Sequence, residues 1–193
     1  MSDDVAVLFH GPINTPATNK LRTVICSVAN RGTDGNTTPP CKRLWLLMSS
    51  LGGSLDDGFS LYSLLRTIKP EVVTVNMGQI ASIANVAFLG GSRRIACPES
   101  YFHFHSFDMN FGGAHSMTRD HLTDSALQLD ISRTNKKILF KARTTMTDAD
   151  FEALKFLDEP MIKDASFAKD KGIVQEIAIP NLPAGTPIYN VEY

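Results

Sequence analysis

Ser82 is the residue of this chain best placed to act as a nucleophile. It lies in VVTVNMGQIASIANVAFLG, residues 72–90, where the β-branched run from Val72 to Val75 gives way, after Gly78, to small and apolar residues with a helical pattern. A strand ending at Gly78 and a helix starting at once would set Ser82 near the helix N-terminus. Free backbone N–H groups and the positive end of the helix dipole face outward there. A serine hydroxyl in that place can attack a carbonyl, with N–H donors waiting for the oxyanion. Taken alone, such a serine is more often simply packed at the junction. The reaction also needs a base, and RRIACPESYFHFHSF supplies His103 and His105. Two residues apart on a strand, they share one face, and either could take the serine proton. Two histidines also suggest a metal, but no third ligand stands at a zinc-like spacing, so none is expected.

These side chains must be held by the elements around them. Upstream, residues 44–48 are apolar throughout and read as a buried strand. Gly52 and Gly53 break it, Ser54 can cap the next helix, and Asp56 and Asp57 fall in its first turn, where negative charge suits the dipole. Leu55, Phe59, Tyr62, Leu65 and Ile68 mark its apolar face, and Pro70 stops it. Strand, glycine pair and helix start form a geometry that offers bare N–H groups to an anion. Downstream, residues 94–97 and 101–107 read as strands around a turn. Earlier, residues 6–9 read as the first strand. Thr15 is read as the cap of a helix with Pro16 in its first position, and Leu21, Val24, Ile25 and Val28 line one face. Residues 31–43 read as a surface loop. Strands alternating with helices imply an α/β fold with a parallel sheet and right-handed crossovers.

Residues 116–146 form a long helical stretch with a partial seam of Leu122, Ala126, Leu129, Ile138, Leu139, Ala142 and Met146. One continuous helix would span about 45 Å, more than a domain of this size covers. Either a turn breaks it or it is an oligomerisation arm. Residues 179–193, with three prolines and no period, read as an extended segment lying on a neighbour.

The 193 residues make one domain, residues 1–193, with a core over about 5–174 and a tail over 175–193. A formal charge of −1 gives no electrostatic case for nucleic acid or a membrane surface. No apolar run reaches a membrane-spanning length, and the acidic start MSDDVAVLF lacks the basic region of a signal peptide. Cys26, Cys41 and Cys97 are odd in number and form no C-x-x-C pair, so reduced thiols and a cytoplasmic location are expected.

Three of these segments together resemble the Clp protease proteolytic subunit, ClpP, of the ClpP/crotonase superfamily. SLGGSLDDGFSLYSLLRTIKP is similar to that family's serine–proline–glycine–glycine turn, its helix and the closing lysine–proline. VNMGQIASIANVAFL is similar to its nucleophile segment, and SYFHFH to the strand that ends in the catalytic histidine. The resemblance runs from about Val5 to Val174. It implies a repeated ββα core with a protruding handle helix and a serine endopeptidase working through an acyl-enzyme in a self-assembled oligomer, with stacked rings as one form. Carried over by position, it implies Ser82 as nucleophile, His105 as base, and the N–H groups of Gly53 and Ile83 as oxyanion hole. Gly112 and Gly113 match the glycine-containing strand beside bound peptide. Peptide or unfolded protein is the implied substrate, and no cofactor is implied. Leu51 replaces the family's proline in the turn. The family's third residue, an aspartate, falls by counting back from Gly172 on Pro160. Asp158 is then the favoured carboxylate and Glu159 the next, while Asp164 reads as a helix N-cap. A serine–histidine dyad stays open, as does a binding or scaffold protein without catalysis. The Ser82–His105 pair argues against a crotonase-type acyl-CoA enzyme. With the first strand already at Val5, little chain precedes it to line an axial pore, and pairing with an ATPase stays open too.

Overall fold

Alternating side chains along the first two strands explain the centre of the molecule. In the computed structural model, which describes residues 3–33, 38–107, 116, 118–156 and 158–192, β1 (Asp4–His10) and β2 (Arg43–Ser50) pair in parallel. Val5, Val7, Phe9, Leu44, Leu46 and Met48 point to one face, into the main core. Ala6, Trp45 and Leu47 point to the other, into a second cluster with Val73, Val75, Ile95 and Cys97. Both faces are covered, which is why these strands read as continuous apolar runs.

Helix α1 (Thr15–Ala29) and helix α2 (Leu55–Thr67) follow their strands as expected. The cap of α1 is Asn14 rather than Thr15: its side chain accepts the Ala17 N–H at 2.9 Å, with Thr15 and Pro16 already helical. Ser54 caps α2 by accepting the Asp57 N–H at 3.3 Å. Asp57 does more than suit the dipole. Its buried carboxylate accepts from Thr15 and Thr18 and pairs with Arg22, so it clamps α1 to α2 behind the glycine turn.

Strand β3 (Glu71–Ala81) does not stop at Gly78. Its first half pairs with β2 and with β4 (Arg93–Ala96); its second half, Gln79 to Ala81, pairs with β5 (Tyr101–Phe104). That second ladder, a long-range partnership, carries the strand through the glycine. The helix that follows, α3 (Ala84–Phe88), is only five residues long. The sheet runs β6 (Met161–Asp164), β5, β3, β2, β1 and β8 (Ile188–Asn190), with β4 branching from β3 and β7 (Glu176–Ile177) pairing with β4. All pairs are parallel except β5 with β6 (Met161–Asp164).

Helix α4 (Arg119–Arg143) is unbroken over 25 residues, about 38 Å. Only Lys136 and Phe140 of it are buried, while Leu122, Leu127, Ile131 and Ile138 are exposed. It is therefore the protruding arm rather than a core helix interrupted by a turn. Helix α5 (Asp148–Ala153) and helix α6 (Ala165–Asp170) complete the chain's helices among the described residues. Asp164 caps α6 by accepting the Phe167 N–H at 2.9 Å, as expected. The tail differs from expectation. Strand β8 (Ile188–Asn190) pairs in parallel with β1, and Ala178 and Leu182 pack on the second cluster. The tail thus covers its own sheet. Its prolines hide the strand from a local reading, because β8 is an edge strand three residues long.

Candidate active site

Ser82 follows the last residue of β3 and holds a left-handed backbone, φ 56°. For a serine this conformation costs about 1–2 kcal/mol, and the surroundings enforce it. Its N–H donates to the His103 carbonyl at 3.0 Å. Its own carbonyl accepts from the Asn85 N–H at 3.2 Å and from Asn85 Nδ2 at 3.0 Å, and Nδ2 also donates to the His103 carbonyl at 2.9 Å. Asn85, 2% exposed, thus rivets the serine turn to β5. Sequence reasoning passed over it as one more small helix residue.

The glycine turn meets this serine directly. Gly52 has φ 88°, and a Cβ there would lie 2.6 Å from Ser82 Cβ and 3.2 Å from the Ile83 nitrogen. Gly53 has φ 146°, and a Cβ there would lie 2.2 Å from the Ile13 carbonyl oxygen. Both positions exclude side chains, so the turn can press against Ser82. Ile13 holds it in place: the Ile13 N–H donates to Gly52 O at 2.8 Å, and Ile13 O accepts the Ser54 N–H at 2.6 Å. The N–H groups of Gly53 and Ile83 have no hydrogen-bond partner among the described residues. Helix α3 is too short for a strong dipole, so these two N–H groups, rather than the helix, are what the junction offers an oxyanion. Leu51 is 72% exposed. On its side of the turn runs an open groove of about 870 Å³ lined by residues that include His10, Ser49, Ser50, Leu51, Gln79 and Asn190. Ser82 and His105 are not part of that lining, so a bond attacked by Ser82 would lie beside the groove rather than in it.

Strand β5 brings the histidines to the same turn. His103 is opposite Ala81 in the parallel register, and His105 lies two residues on. Their rings share a face, with centroids 5.3 Å apart. His105 is half-buried, and its Nδ1 lies 2.5 Å from the Ser106 carbonyl oxygen. No hydrogen bond joins Ser82 Oγ to His105 among the described residues; such bonds often form only with substrate present.

The third residue is where the structure separates what the sequence grouped. The antiparallel register of β5 and β6 sets Phe104 opposite Met161. His105 and Pro160 each lie one residue beyond that ladder. Asp158 pairs instead with Arg133 of α4, and Glu159 with Lys155 at 2.6 Å. Among the described residues neither carboxylate bonds to His105. Gly112 and Gly113 lie outside the described residues. Lys136, a second residue the sequence did not single out, reaches this region from α4: its Nζ donates to the His105 carbonyl at 3.0 Å. Among the described residues no group of three or more His, Cys, Asp or Glu could hold a metal, and no helix is long and apolar enough to cross a membrane. Cys26, Cys41 and Cys97 are all free thiols.

Comparison with known proteins follows the same outline. The family model described as Clp protease matches residues 34–181. The ATP-dependent Clp protease proteolytic subunit of Chlorella vulgaris is 31% identical over 140 residues, covering 72% of this chain and 67% of that protein. Its counterpart from Oltmannsiellopsis viridis is 31% identical over 145 residues, covering 74% and 71%. Among solved structures, a point mutant of ClpP1 from Listeria monocytogenes superposes with a TM-score of 0.74 over 91% of each chain at 21% identity, a likeness of fold.

Proposed function

The chain belongs to the Clp protease family, a family of peptidases, and from that premise we propose that it is a serine endopeptidase that cleaves peptide bonds through an acyl-enzyme on Ser82. One observation carries the reading. The glycine turn is pressed against Ser82, and the N–H groups of Gly53 and Ile83 are left without partners beside it among the described residues.

The chemistry follows from these groups. With Nδ1–H donating to the Ser106 carbonyl, His105 keeps the Nε2 lone pair for the Ser82 proton. Ser82 Oγ adds to the scissile carbonyl carbon as its proton passes to His105. The negative charge that develops on the carbonyl oxygen is held by the Gly53 and Ile83 N–H groups. Collapse breaks the C–N bond, and the departing amine takes the proton from His105. Water, deprotonated by His105, then releases the acid from Ser82. In this scheme the Ser106 carbonyl sets the tautomer that an aspartate would otherwise set. Asp158 takes that role only by leaving Arg133.

We further propose a homo-oligomer, supported by the exposed Leu122, Leu127 and Ile131 on α4, with peptide or unfolded protein as substrate and Gly112–Gly113 beside it. The curated relatives are ATP-dependent by name; the proteolytic part is what we assign to this chain. A second reading, a binding subunit without catalysis, draws on the absence of a carboxylate at His105 among the described residues. Labelling with a fluorophosphonate probe separates the two. Stoichiometric labelling that disappears in Ser82→Ala, with peptide hydrolysis lost alongside, is expected. A wild-type protein that neither labels nor hydrolyses would leave the binding subunit.

A further inference from the structure

We propose that Lys136 is a positioning residue for this site: by donating to the His105 carbonyl at 3.0 Å it fixes how the chain leaves β5, and with it the direction of the His105 imidazole. The proposal rests on the reading of His105 as the general base.

The placement of this lysine is hard to explain otherwise. It is 2% exposed, one of two buried side chains on a helix of 25 residues. Its ammonium lies 5.0 Å from the Phe107 ring centroid and 5.1 Å from that of Phe156. Among the described residues no carboxylate pairs with it. Burial alone pushes its pKa down to about 8. An uncompensated buried cation is costly, and an apolar side chain of the same length would fill the space between two phenylalanines at less expense. Among the described residues, the one hydrogen bond its ammonium makes is with the backbone of His105. Directly after that bond the chain must place two groups correctly: the imidazole, and the Ser106 carbonyl that receives Nδ1. A cation held on the intervening peptide orients both.

The other charged and titratable groups around it are few. His103, on β5, stands beside His105 just past its end, ring to ring at 5.3 Å. The Arg133–Asp158 ion pair lies one turn away along α4 and, with Asp130, lines a hollow of about 300 Å³ beside Ser106 and Phe107. Lys137 is occupied by Asp148 at 3.1 Å. None of these replaces a donor on the His105 carbonyl.

The test is the position of the His105 ring-proton NMR signals at one fixed pH in the full-length protein, in Lys136→Met and in Lys136→Arg, with the signals assigned by their loss in His105→Gln. Turnover of a fluorogenic peptide is measured on the same samples. Removing the donor should displace the His105 ring signals and leave those of His10, at the end of β1, where they were. kcat should fall about tenfold with KM within about twofold. Lys136→Arg should restore at least half of the kcat and return the ring signals toward their wild-type positions. A lysine that only filled space would change thermal stability and leave ring signals and kcat where they were, and that result overturns the proposal. If wild-type protein neither labels at Ser82 nor cleaves peptide, the peptidase reading fails on its own. The spectrum still decides here: displaced His105 signals in Lys136→Met support the positioning role, and unchanged ones end it.

Discussion

Replacing Gly53 with alanine tests the proposed oxyanion role of the glycine turn. A Cβ built on Gly53 would stand 2.2 Å from the Ile13 carbonyl oxygen, where 3.4 Å begins ordinary contact. Something must therefore move by about 1 Å. Ile13 is poorly able to, because its N–H and its carbonyl are both bonded to the same turn, at 2.8 Å and 2.6 Å. The turn itself must shift, and the Gly53 N–H moves with it. Loss of one oxyanion donor costs about 10²–10³ in kcat, and a misplacement of about 1 Å alone can cost about 10². The expected result is a kcat lower by about 100-fold or more. KM should be nearly unchanged, because the oxyanion exists only on the way through the transition state. The assay is steady-state hydrolysis of a fluorogenic peptide, paired with the rate of fluorophosphonate labelling of Ser82. Gly185→Ala is the control: its φ is 77°, but nothing lies within 4 Å of the added carbon. It carries the left-handed cost of about 1–2 kcal/mol and no clash, so it should lower stability slightly and leave kcat alone. A Gly53→Ala enzyme with kcat within about threefold of wild type would refute the assignment of the turn, since the displaced N–H could not be serving the reaction.

Three further outcomes follow from other parts of the molecule. His105→Ala should lower peptide turnover by about three orders of magnitude while His103→Ala keeps most of it; the reverse ranking would move the base one step back along β5. Asp150 completes the capping box of α5, whose N-cap is Thr147, and its pKa is held down to about 2 by Lys171 first and then by the Thr147 N–H and hydroxyl. A depressed carboxylate stabilises the fold above its unfolded pKa near 4, and the contribution fades as pH falls through about 2. Asp150→Asn should therefore flatten the stability loss of the protein between about pH 4 and 2 in urea titrations, and an unchanged slope would count against the cap. Arg94, 3% exposed, donates to the carbonyls of Gly91, Arg143, Gly172 and Ile173. Arg94→Met orphans the other three, since the Gly91 carbonyl keeps Arg143 Nη2 at 2.7 Å, and should cost about 2–4 kcal/mol in urea unfolding, with less than about 1 kcal/mol arguing that water replaces it.

Much of this arrangement was readable because its causes are local. Ser54 and Asp164 announce α2 and α6 through side chains that bond three residues ahead, and the apolar runs of β1 and β2 announce strands covered on both faces. What was unreadable depends on distant partners. Gly78 looks like a break, yet β3 continues past it because β5 supplies a second ladder. The tail looks structureless, yet it finds the open edge of β1. Lys136 looks like one more surface lysine on a polar helix, and only the packing of α4 over Phe107 and Phe156 buries it. Asn85 is hidden for a related reason: its amide matters because it reaches the His103 carbonyl, on a strand eighteen residues away in sequence.

The third site position shows how far counting can go. Counting back from Gly172 places Pro160 where the family has an acid, and Pro160 lies one residue before β6 as His105 lies one residue after β5. Proline brings neither a carboxylate nor an N–H to that position. The two acids just before it are drawn off by cations on either side, Asp158 by Arg133 and Glu159 by Lys155. The Arg133–Asp158 pair is about half exposed on both sides, and such pairs contribute little, about 0–1 kcal/mol. Its hold on Asp158 is therefore weak. Among the described residues, His105 Nδ1 meets the Ser106 carbonyl. A neutral carbonyl stabilises an imidazolium less than a carboxylate does, while it sets the same tautomer. On the proposed reading, the orientation of His105 as base then depends on the path of its own backbone over residues 104–106, and Lys136 donates to the carbonyl within that path.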